Sequence, residues 1–453
     1  MPLQSPLRAA APRPVADIAA AASDAERYVR YFRTVLALCF LASLALSMPL
    51  WLTGRDYPLV PLVDGLPQPP PPLDAVLFAA MAVALACAAL VRRPRGFLQA
   101  VLAIGVLWAV LDQNRWQPYL AWYLVGAWCL LVGERAADGK AKPGSAWHVA
   151  PLQLMTCCMY AWSGLHKLNH HYLATDFILT AKPLLGWLHV DPASLAPRMV
   201  AAFAVASALL ELGFGVLLAF PRFRRIGVVG LTGMHLFILL MIGPLGSGWN
   251  RVVWPWNVAS IAALWLLFWP RATGAQLGSF IAAWRARPAA LPGRRAAKPV
   301  PRVIRYTALA VLVVFGVLPA LSFAGTWYAS LSFQLYAGKE RIGLLYYDAS
   351  RPGALPLAAV HAVRTPGQVN LAAWSAAELN AAPVLEDRVL LSMARTLARR
   401  SPQADLRLLI AGPPSLTTGE REVRFFAFPA PQMKPVDVTA QYDVRLDETA
   451  ASQ

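Results

Sequence analysis

Residues 198–220 read RMVAAFAVASALLELGFGVLLAF, an apolar run in which Glu211 is the only acidic residue. The hydrocarbon core of a bilayer is about 30 Å thick, so about 20 residues of helix are needed to cross it. This run has the required length and predicts a transmembrane helix.

Similar apolar runs recur along most of the chain. Those at 97–111, 117–132 and 254–269 are shorter than the others, and short spans extend into flanking residues or lie where the bilayer is thinned. We therefore expect an all-α polytopic membrane protein with about nine transmembrane helices. The predicted spans are 34–52, 73–91, 97–111, 117–132, 149–167, 198–220, 226–243, 254–269 and 303–323.

The composition agrees with a lipid bilayer as the main surrounding. Hydrophobic residues make up 57% and charged residues 14% of the chain, against roughly 45–50% and about 25% in soluble proteins. The net charge of +17 does not indicate a nucleic-acid partner, because the positive residues lie in short loops between apolar runs. The five cysteines fall within apolar runs, where cysteine behaves as a small hydrophobe, and no metal site is predicted.

Positive charge alternates between successive loops, and this alternation predicts the orientation. The loops that hold Arg55, Arg115 and Arg251 are poor in Arg and Lys, whereas the loops between them are rich. Because Lys and Arg accumulate on the cytoplasmic side, we expect a multi-pass protein of the cell inner membrane with its N-terminus in the cytoplasm. The positive groups span residues 27–33, 92–95, 135–142, 222–225 and 271–302.

The segments outside the spans predict the domain organisation. Residues 1–33 are expected to form a disordered cytoplasmic arm. Residues 271–302 are expected to form a basic cytoplasmic linker between an eight-helix domain at 34–270 and a ninth helix at 303–324. Residues 325–453 have the pattern of a small α/β or strand-rich extracytoplasmic domain. Strands are predicted at Arg341–Tyr347, Leu406–Ile410 and Val423–Phe428, and one or two amphipathic helices at Leu371–Arg400.

A few polar side chains interrupt the predicted spans. An ionisable group inside a span costs about 2.5–3.5 kcal/mol on insertion scales, so each such group is a functional candidate. Ser163, His166, Lys167 and His170 also fall on one stripe of a helix. The candidate catalytic residues are Lys167, His166, His235 and Glu211, and the candidate substrate-binding residues are Tyr160, Trp249, Asn250, Trp254 and Asn257.

Structural explanations compete with a catalytic one at these positions. Lys167 at a helix end can extend to the membrane interface, and Glu211 and His235 can pair with each other and serve only packing. His170 and His171 are expected to be solvated loop residues. The segment Trp254–Asn257 fits an aromatic belt at the interface.

The catalytic explanation rests on the chemistry of a lysine in a partly dry cavity. Desolvation favours the neutral amine, which can act as a general base, and nearby imidazoles can relay protons. An apolar cavity at membrane level with one base suits a lipid-soluble substrate such as a quinol.

The stretch Tyr160-x-x-x-Gly164-Leu-His-Lys167-Leu, followed by Glu211 and by Met234-His235-Leu-Phe up to Asn257, resembles the vitamin K-dependent γ-glutamyl carboxylase superfamily, whose bacterial members carry the HTTM domain. The resemblance covers residues 25–270. It implies that Lys167 deprotonates a quinol such as vitamin K hydroquinone on the outer side of the membrane, with a peptide as a further substrate. His166 stands where the animal enzymes carry a second lysine, and Tyr172 where they carry tryptophan, so quinol use is expected rather than glutamate carboxylation.

Two other classes of protein remain open at this stage. One is a non-enzymatic scaffold or subunit whose outer domain binds another envelope protein. The other comprises transporters and the DoxX-type redox proteins, which the absence of paired Gly/Pro-broken spans and the chain length disfavour. An enzyme should enclose Lys167 in a pocket near Trp254 and Asn257, whereas a scaffold should leave Lys167 facing headgroups or water.

Overall fold

The computed structural model describes residues 15–138, 147–274, 276–285, 300–348, 350, 355–356, 359, 365–401, 404–428 and 436–438. Most of these residues are helical. The α-helices are α1 (Val15–Leu46), α2 (Met48–Trp51), α3 (Leu73–Leu90), α4 (Arg95–Leu111), α5 (Pro118–Asp138), α6 (Ala150–His166), α7 (Phe177–Trp187), α8 (Pro197–Ala219), α9 (Arg224–Ile242), α10 (Val253–Ala263), α11 (Arg271–Gly274), α12 (Gln276–Arg285), α13 (Arg302–Val311), α14 (Leu371–Leu379) and α15 (Asp387–Arg400). Helix α10 continues as a π-helical turn at Leu264–Phe268, and α13 continues as π and 3-10 turns to Ala324.

Helical structure begins earlier in the chain than the apolar runs indicate. The segment VADIAAAASDA at 15–25 belongs to α1, because alanine has the highest helix propensity. The prediction of a disordered arm is therefore wrong for residues 15–33, and residues 1–14 lie outside the described residues. Likewise, residues 271–274 and 276–285 of the predicted linker form α11 and α12, while 275 and 286–299 are not among the residues described.

Five helical segments in the described part of the chain are long and apolar enough to cross a membrane. A sixth results if the helices Val253–Phe268 and Arg271–Ala282, which meet at 85°, are counted as one broken span. The chain is therefore a mostly helical protein suited to cross a membrane several times. The five segments are Ser23–Leu46, Leu73–Leu90, Pro197–Ala219, Arg224–Ile242 and Arg302–Ala324.

Large apolar side chains cover the outer faces of these helices. On α8 and α9, Phe203, Leu210, Val229 and Leu236 are all more than half exposed. A soluble protein rarely exposes such a continuous apolar surface, whereas hydrocarbon chains satisfy it. The exposed apolar faces therefore support the membrane assignment independently of helix length.

The predicted span at 149–167 corresponds to α6, which carries several polar residues because it lies inside the helix bundle. Its buried residues occur on all sides and include Gln153 and Thr156. The Gln153 Nε2 donates to the backbone carbonyl of Leu267 at 2.7 Å, which ties α6 to the π-helical turn after α10. Because protein covers α6, the Gln153 amide nitrogen and the Thr156 hydroxyl donate to carbonyls inside the protein and need not face lipid.

The C-terminal part folds as a five-stranded antiparallel sheet with two helices. The strand order is β2-β1-β3-β4-β5, and α14 and α15 pack apolar residues such as Trp374 and Met393 into its core. The three predicted strands and the helical segment are confirmed. Strands β2 and β5 have three residues each, too few to show a period of two. The strands are β1 (Ile342–Tyr346), β2 (Gln368–Asn370), β3 (Leu406–Ala411), β4 (Val423–Phe428) and β5 (Val436–Val438).

This C-terminal domain packs on one end of the helix bundle, which we call the covered end. The rings of Tyr57 and Trp374 meet with centroids 5.1 Å apart. The Glu378 carboxylate accepts hydrogen bonds from the backbone N–H groups of Asp56 at 2.7 Å and Tyr57 at 3.1 Å. Aromatic packing and backbone hydrogen bonds thus hold the domain against the loop between α2 and α3.

A buried charge network ties together the loops beneath the C-terminal domain. Asp112 accepts from Arg55 Nη2 at 2.5 Å and from the backbone N–H of Val60 at 3.0 Å. Arg115 donates to the backbone carbonyls of Leu50 and Trp51, each at 3.0 Å. Two arginines from the charge-poor loops are therefore engaged inside the protein.

Candidate active site at the covered end of the helix bundle

Two glycines allow α6 and α8 to approach closely. A Cβ added at Gly164 would lie 2.5 Å from the backbone N of Leu212 and 2.7 Å from the backbone O of Ala208. One added at Gly215 would lie 2.5 Å from the Cβ of Tyr160. Small residues at such crossings let helix backbones pack directly together. This contact brings the end of α6 alongside the middle of α8.

Lys167 and Glu211 form a buried ion pair across that contact. Lys167 Nζ lies 2.6 Å from Glu211 Oε2 and donates to Ser163 Oγ at 3.0 Å. Both residues are only 8% exposed. The expectation that Lys167 extends to the interface is therefore wrong, because a carboxylate on α8 holds the ammonium inside. Lys167 therefore does not face headgroups or water, as a scaffold would require, and neither of the two cavities described below encloses it, as an enzyme would require.

His235 belongs to a second buried cluster. Its Nδ1 lies 2.7 Å from Asn257 Oδ1, and its Nε2 lies 2.6 Å from the Tyr160 hydroxyl. Asn257 Nδ2 donates to the Val253 carbonyl at 2.8 Å, so Asn257 Oδ1 is the acceptor that faces the imidazole. This arrangement places the proton on Nδ1 and leaves Nε2 to accept from the Tyr160 hydroxyl.

Glu211 connects the two clusters. Its partner is Lys167, so of the explanations left open by the sequence, a direct pair between Glu211 and His235 does not form. Glu211 nevertheless lies within electrostatic range of both Tyr160 and His235. The structure therefore brings together Lys167, Glu211, His235, Tyr160 and Asn257, from four helices.

His166 faces away from this group, toward the segment after α13. Its ring stacks between Trp162, with centroids 5.7 Å apart, and Phe323, with centroids 4.6 Å apart. The Ser322 hydroxyl lies 3.4 Å from His166 Nε2. Successive residues on a helix point about 100° apart, from the 3.6 residues per turn, which separates His166 from Lys167.

The chain after Lys167 is bonded to the C-terminal domain. Asn169 Nδ2 donates to the backbone carbonyls of His166 at 2.8 Å and Ala337 at 2.7 Å. The backbone N–H of His170 donates to the Leu416 carbonyl at 3.0 Å. The C-terminal domain therefore covers the end of α6 that carries Lys167.

The two histidines that follow differ from each other. His170 is exposed, as expected for a solvated residue. His171 Nε2 lies 3.6 Å from Asp176 Oδ2, so it has a carboxylate neighbour. In the residues that the structure describes, no group of three or more His, Cys, Asp or Glu side chains is placed to hold a metal ion.

Two of the candidate substrate-binding residues, Trp249 and Asn250, contact the C-terminal domain. Asn250 Nδ2 donates to the Tyr336 hydroxyl at 3.1 Å, and the Trp249 and Tyr336 rings lie 5.8 Å apart. Trp254 Nε1 donates to the Trp249 carbonyl at 3.1 Å. These contacts join the loop after α9 to the C-terminal domain, which explains the polar-aromatic composition of the loop. Tyr160 and Asn257, by contrast, lie in the His235 cluster.

Lys339 is a candidate that the sequence did not indicate. It is 5% exposed, and its Nζ lies 4.0 Å above the Phe323 ring. Burial lowers the pKa of Lys339 to about 8, although the neighbouring Glu340 carboxylate opposes that shift. Lys339 lies in a segment without a motif, so only the fold of the C-terminal domain places it beside His166.

Two cavities in the described part of the molecule contain none of the candidate residues. One of 190 Å³ lies between the loop after α2 and α15 and is lined by Asp64 and Arg395, among others. The other, of 420 Å³, lies on the outer face of α8 and α9 beside Arg225 and Trp269. No protein-family model, no curated protein and no solved structure matches the chain.

Proposed function

We propose that this protein is an inner-membrane protein whose nine helices cross the bilayer, with the N-terminus cytoplasmic and the C-terminal domain extracytoplasmic. Five of the nine are the long apolar segments described above. The other four are helices α4, α5, α6 and α10, which correspond to predicted spans but do not by themselves have the length and hydropathy of those five. The charge distribution supports the orientation, since the loop that contains Arg222 joins the ends of α8 and α9 away from the covered end. Positive loops mark the cytoplasmic face.

We further propose that the protein is an enzyme that deprotonates a lipid-soluble quinol, with Lys167 as the general base. The observation that carries this proposal is the Lys167–Glu211 pair, 2.6 Å apart and buried at the covered end. The ammonium first passes a proton to the Glu211 carboxylate, which leaves an amine and a carboxylic acid. The amine then takes the hydroxyl proton of the quinol, which gives the quinolate and restores the ammonium.

The neutral cluster beside Glu211 supports the same chemistry. With its proton on Nδ1, His235 can accept the Tyr160 proton at Nε2 while Asn257 fixes the ring. A chain of this kind can relay a proton without adding charge to the membrane interior. Tyr160, Gly164, Lys167, Glu211 and His235 also carry the resemblance to the γ-glutamyl carboxylase superfamily, and all five lie in or beside this cluster.

The test is O2-dependent oxidation of vitamin K hydroquinone by the protein in lipid nanodiscs. We expect Lys167→Met to lower the rate by at least 100-fold, the lower range for a general base. Lys182→Met is the matched control, since Lys182 is exposed on α7 and should keep the full rate. Equal rates for wild type and Lys167→Met would exclude Lys167 as the base, provided that both variants unfold at similar temperatures.

A scaffold for an envelope protein is the second candidate, and one observation favours it. Lys167 is held by Glu211 and Ser163 as a packing element would be, and the two cavities described above lie elsewhere. If neither wild type nor any variant oxidises the quinol, and the C-terminal domain retains another envelope protein on purification, the scaffold is the better account.

A further inference from the structure

Lys339 differs from the other buried cations around the covered end. Lys167, Arg55 and Arg115 each bond to a carboxylate or a carbonyl. Lys339 Nζ has no hydrogen-bond acceptor among the described residues, although the side chain is 5% exposed. Buried polar groups are normally hydrogen-bonded, so an unpartnered ammonium indicates a missing acceptor.

The contacts that Lys339 does make are too weak to replace an acceptor. Removing an ammonium from water costs more free energy than a cation–π contact such as that with Phe323 returns. Glu340 is adjacent in the chain, but its carboxylate accepts backbone hydrogen bonds at Glu340 and Ala337 and lies near Arg421. Its charge acts on Lys339 at a distance, and in the part of the chain that the structure describes the three N–H donors of Lys339 have no acceptor.

The groups around Lys339 indicate which chemical class of anion would fit beside it. His166 lies within electrostatic range of Lys339, and the Ser322 hydroxyl lies 3.4 Å from His166 Nε2. Phe323 and Trp162 form apolar walls around this imidazole. One cation with neutral polar groups and aromatic walls suits a monovalent, planar anion. A phosphate would call for a second cation or an arginine fork.

We propose that Lys339, beside His166 and the Phe323 ring, forms a receptor for an organic carboxylate at the seam between the C-terminal domain and the segment after α13. Both sides of the seam are needed, because Lys339 comes from the C-terminal part and Ser322 and Phe323 from the helix bundle. The receptor does not depend on whether Lys167 acts as a base, so the two proposals are tested separately.

The experiment measures the unfolding midpoint of the full-length protein in nanodiscs at increasing sodium acetate, with sodium chloride at the same ionic strength as reference. Wild type and the control Lys182→Met should show a saturable rise in acetate and none in chloride. Lys339→Met should lose the acetate response, with at least a tenfold weaker apparent Kd. In chloride the unfolding midpoint of Lys339→Met should be higher than that of the wild type, because the substitution removes an unpaired buried charge.

Two results would overturn the proposal. If Lys339→Met responds to acetate as the wild type does, the ammonium is not the receptor. If acetate and chloride shift the wild type equally, the site takes any small anion and the carboxylate assignment is wrong. If Lys339→Met fails to fold, the comparison of acetate with chloride in the wild type still decides whether a carboxylate binds. Lys339→Arg then shows whether a positive charge at this position is enough for the acetate response.

Discussion

The contact between α6 and α8 gives a sharp test of how the candidate site is built. An alanine at Gly164 would place its Cβ 2.5 Å from the Leu212 backbone N, where ordinary contacts begin at 3.4 Å. The atoms in the way belong to the α8 backbone, so they cannot rotate aside. The two helices must therefore separate locally by nearly 1 Å, the difference between those two distances.

That separation acts directly on the ion pair one turn away. A Lys167–Glu211 distance of 2.6 Å lengthened by this amount reaches the limit of a hydrogen bond. Overpacking costs about 1–3 kcal/mol, and loss of a buried pair approaches 3–5 kcal/mol when one charge is left without its partner. We expect Gly164→Ala to destabilise the protein by about 2–5 kcal/mol and to abolish quinol oxidation.

The assay is unfolding in nanodiscs followed by tryptophan fluorescence. Gly213→Ala is the matched control, because an added Cβ there meets nothing within 4 Å. This control should leave stability unchanged or raise it by about 0.5–1 kcal/mol, since alanine is the better helix former. If both variants unfold at the same midpoint, the close approach of α6 and α8 does not hold the site together, and the reasoning fails.

Three further predictions follow from single contacts. Glu211→Leu alone should destabilise the protein by about 3–5 kcal/mol, whereas adding Lys167→Met should restore most of that loss; urea unfolding of the single and double variants checks this. Tyr336→Phe removes the hydroxyl that accepts from Asn250 and should cost about 0.5–1.5 kcal/mol, with faster proteolysis of the C-terminal domain as the readout. The pKa of Lys339 is about 8 in the folded protein and 10.5 in the unfolded chain. Between pH 8 and pH 10.5 the unfolded state therefore binds more protons than the folded state. Wild-type stability relative to Lys339→Met should thus rise from pH 8 to 10.5 and stay low below pH 8; a flat difference across that range contradicts the burial of a charged Lys339.

The predicted candidates show where local pattern is sufficient. Lys167, Glu211 and His235 stand out in the sequence because charged or polar groups are rare in apolar spans, and all three lie in the cluster. Their partners did not follow from the sequence. Glu211 faces Lys167 rather than His235 because Gly164 and Gly215 set which helices touch, and helix order in the membrane plane has no local signature.

The aromatic loop after α9 shows the opposite case. Trp249, Asn250 and Trp254 have the composition of a ligand site, yet the structure uses Trp249 and Asn250 to dock Tyr336. Docking surfaces and ligand sites both combine aromatic and amide groups, so composition does not separate them. Only the position of the C-terminal domain shows that this loop is a docking surface.

The sequence by itself determined the membrane class, the positions of the apolar helices and the core strands of the C-terminal sheet. Those features depend on residue type and periodicity over one element, and burial in lipid or in a sheet leaves a direct mark on both. Tertiary structure decided the ion pair at Lys167 and the placement of Lys339 beside His166. Both depend on contacts between residues distant in the chain, and such contacts are set by packing geometry rather than by local pattern.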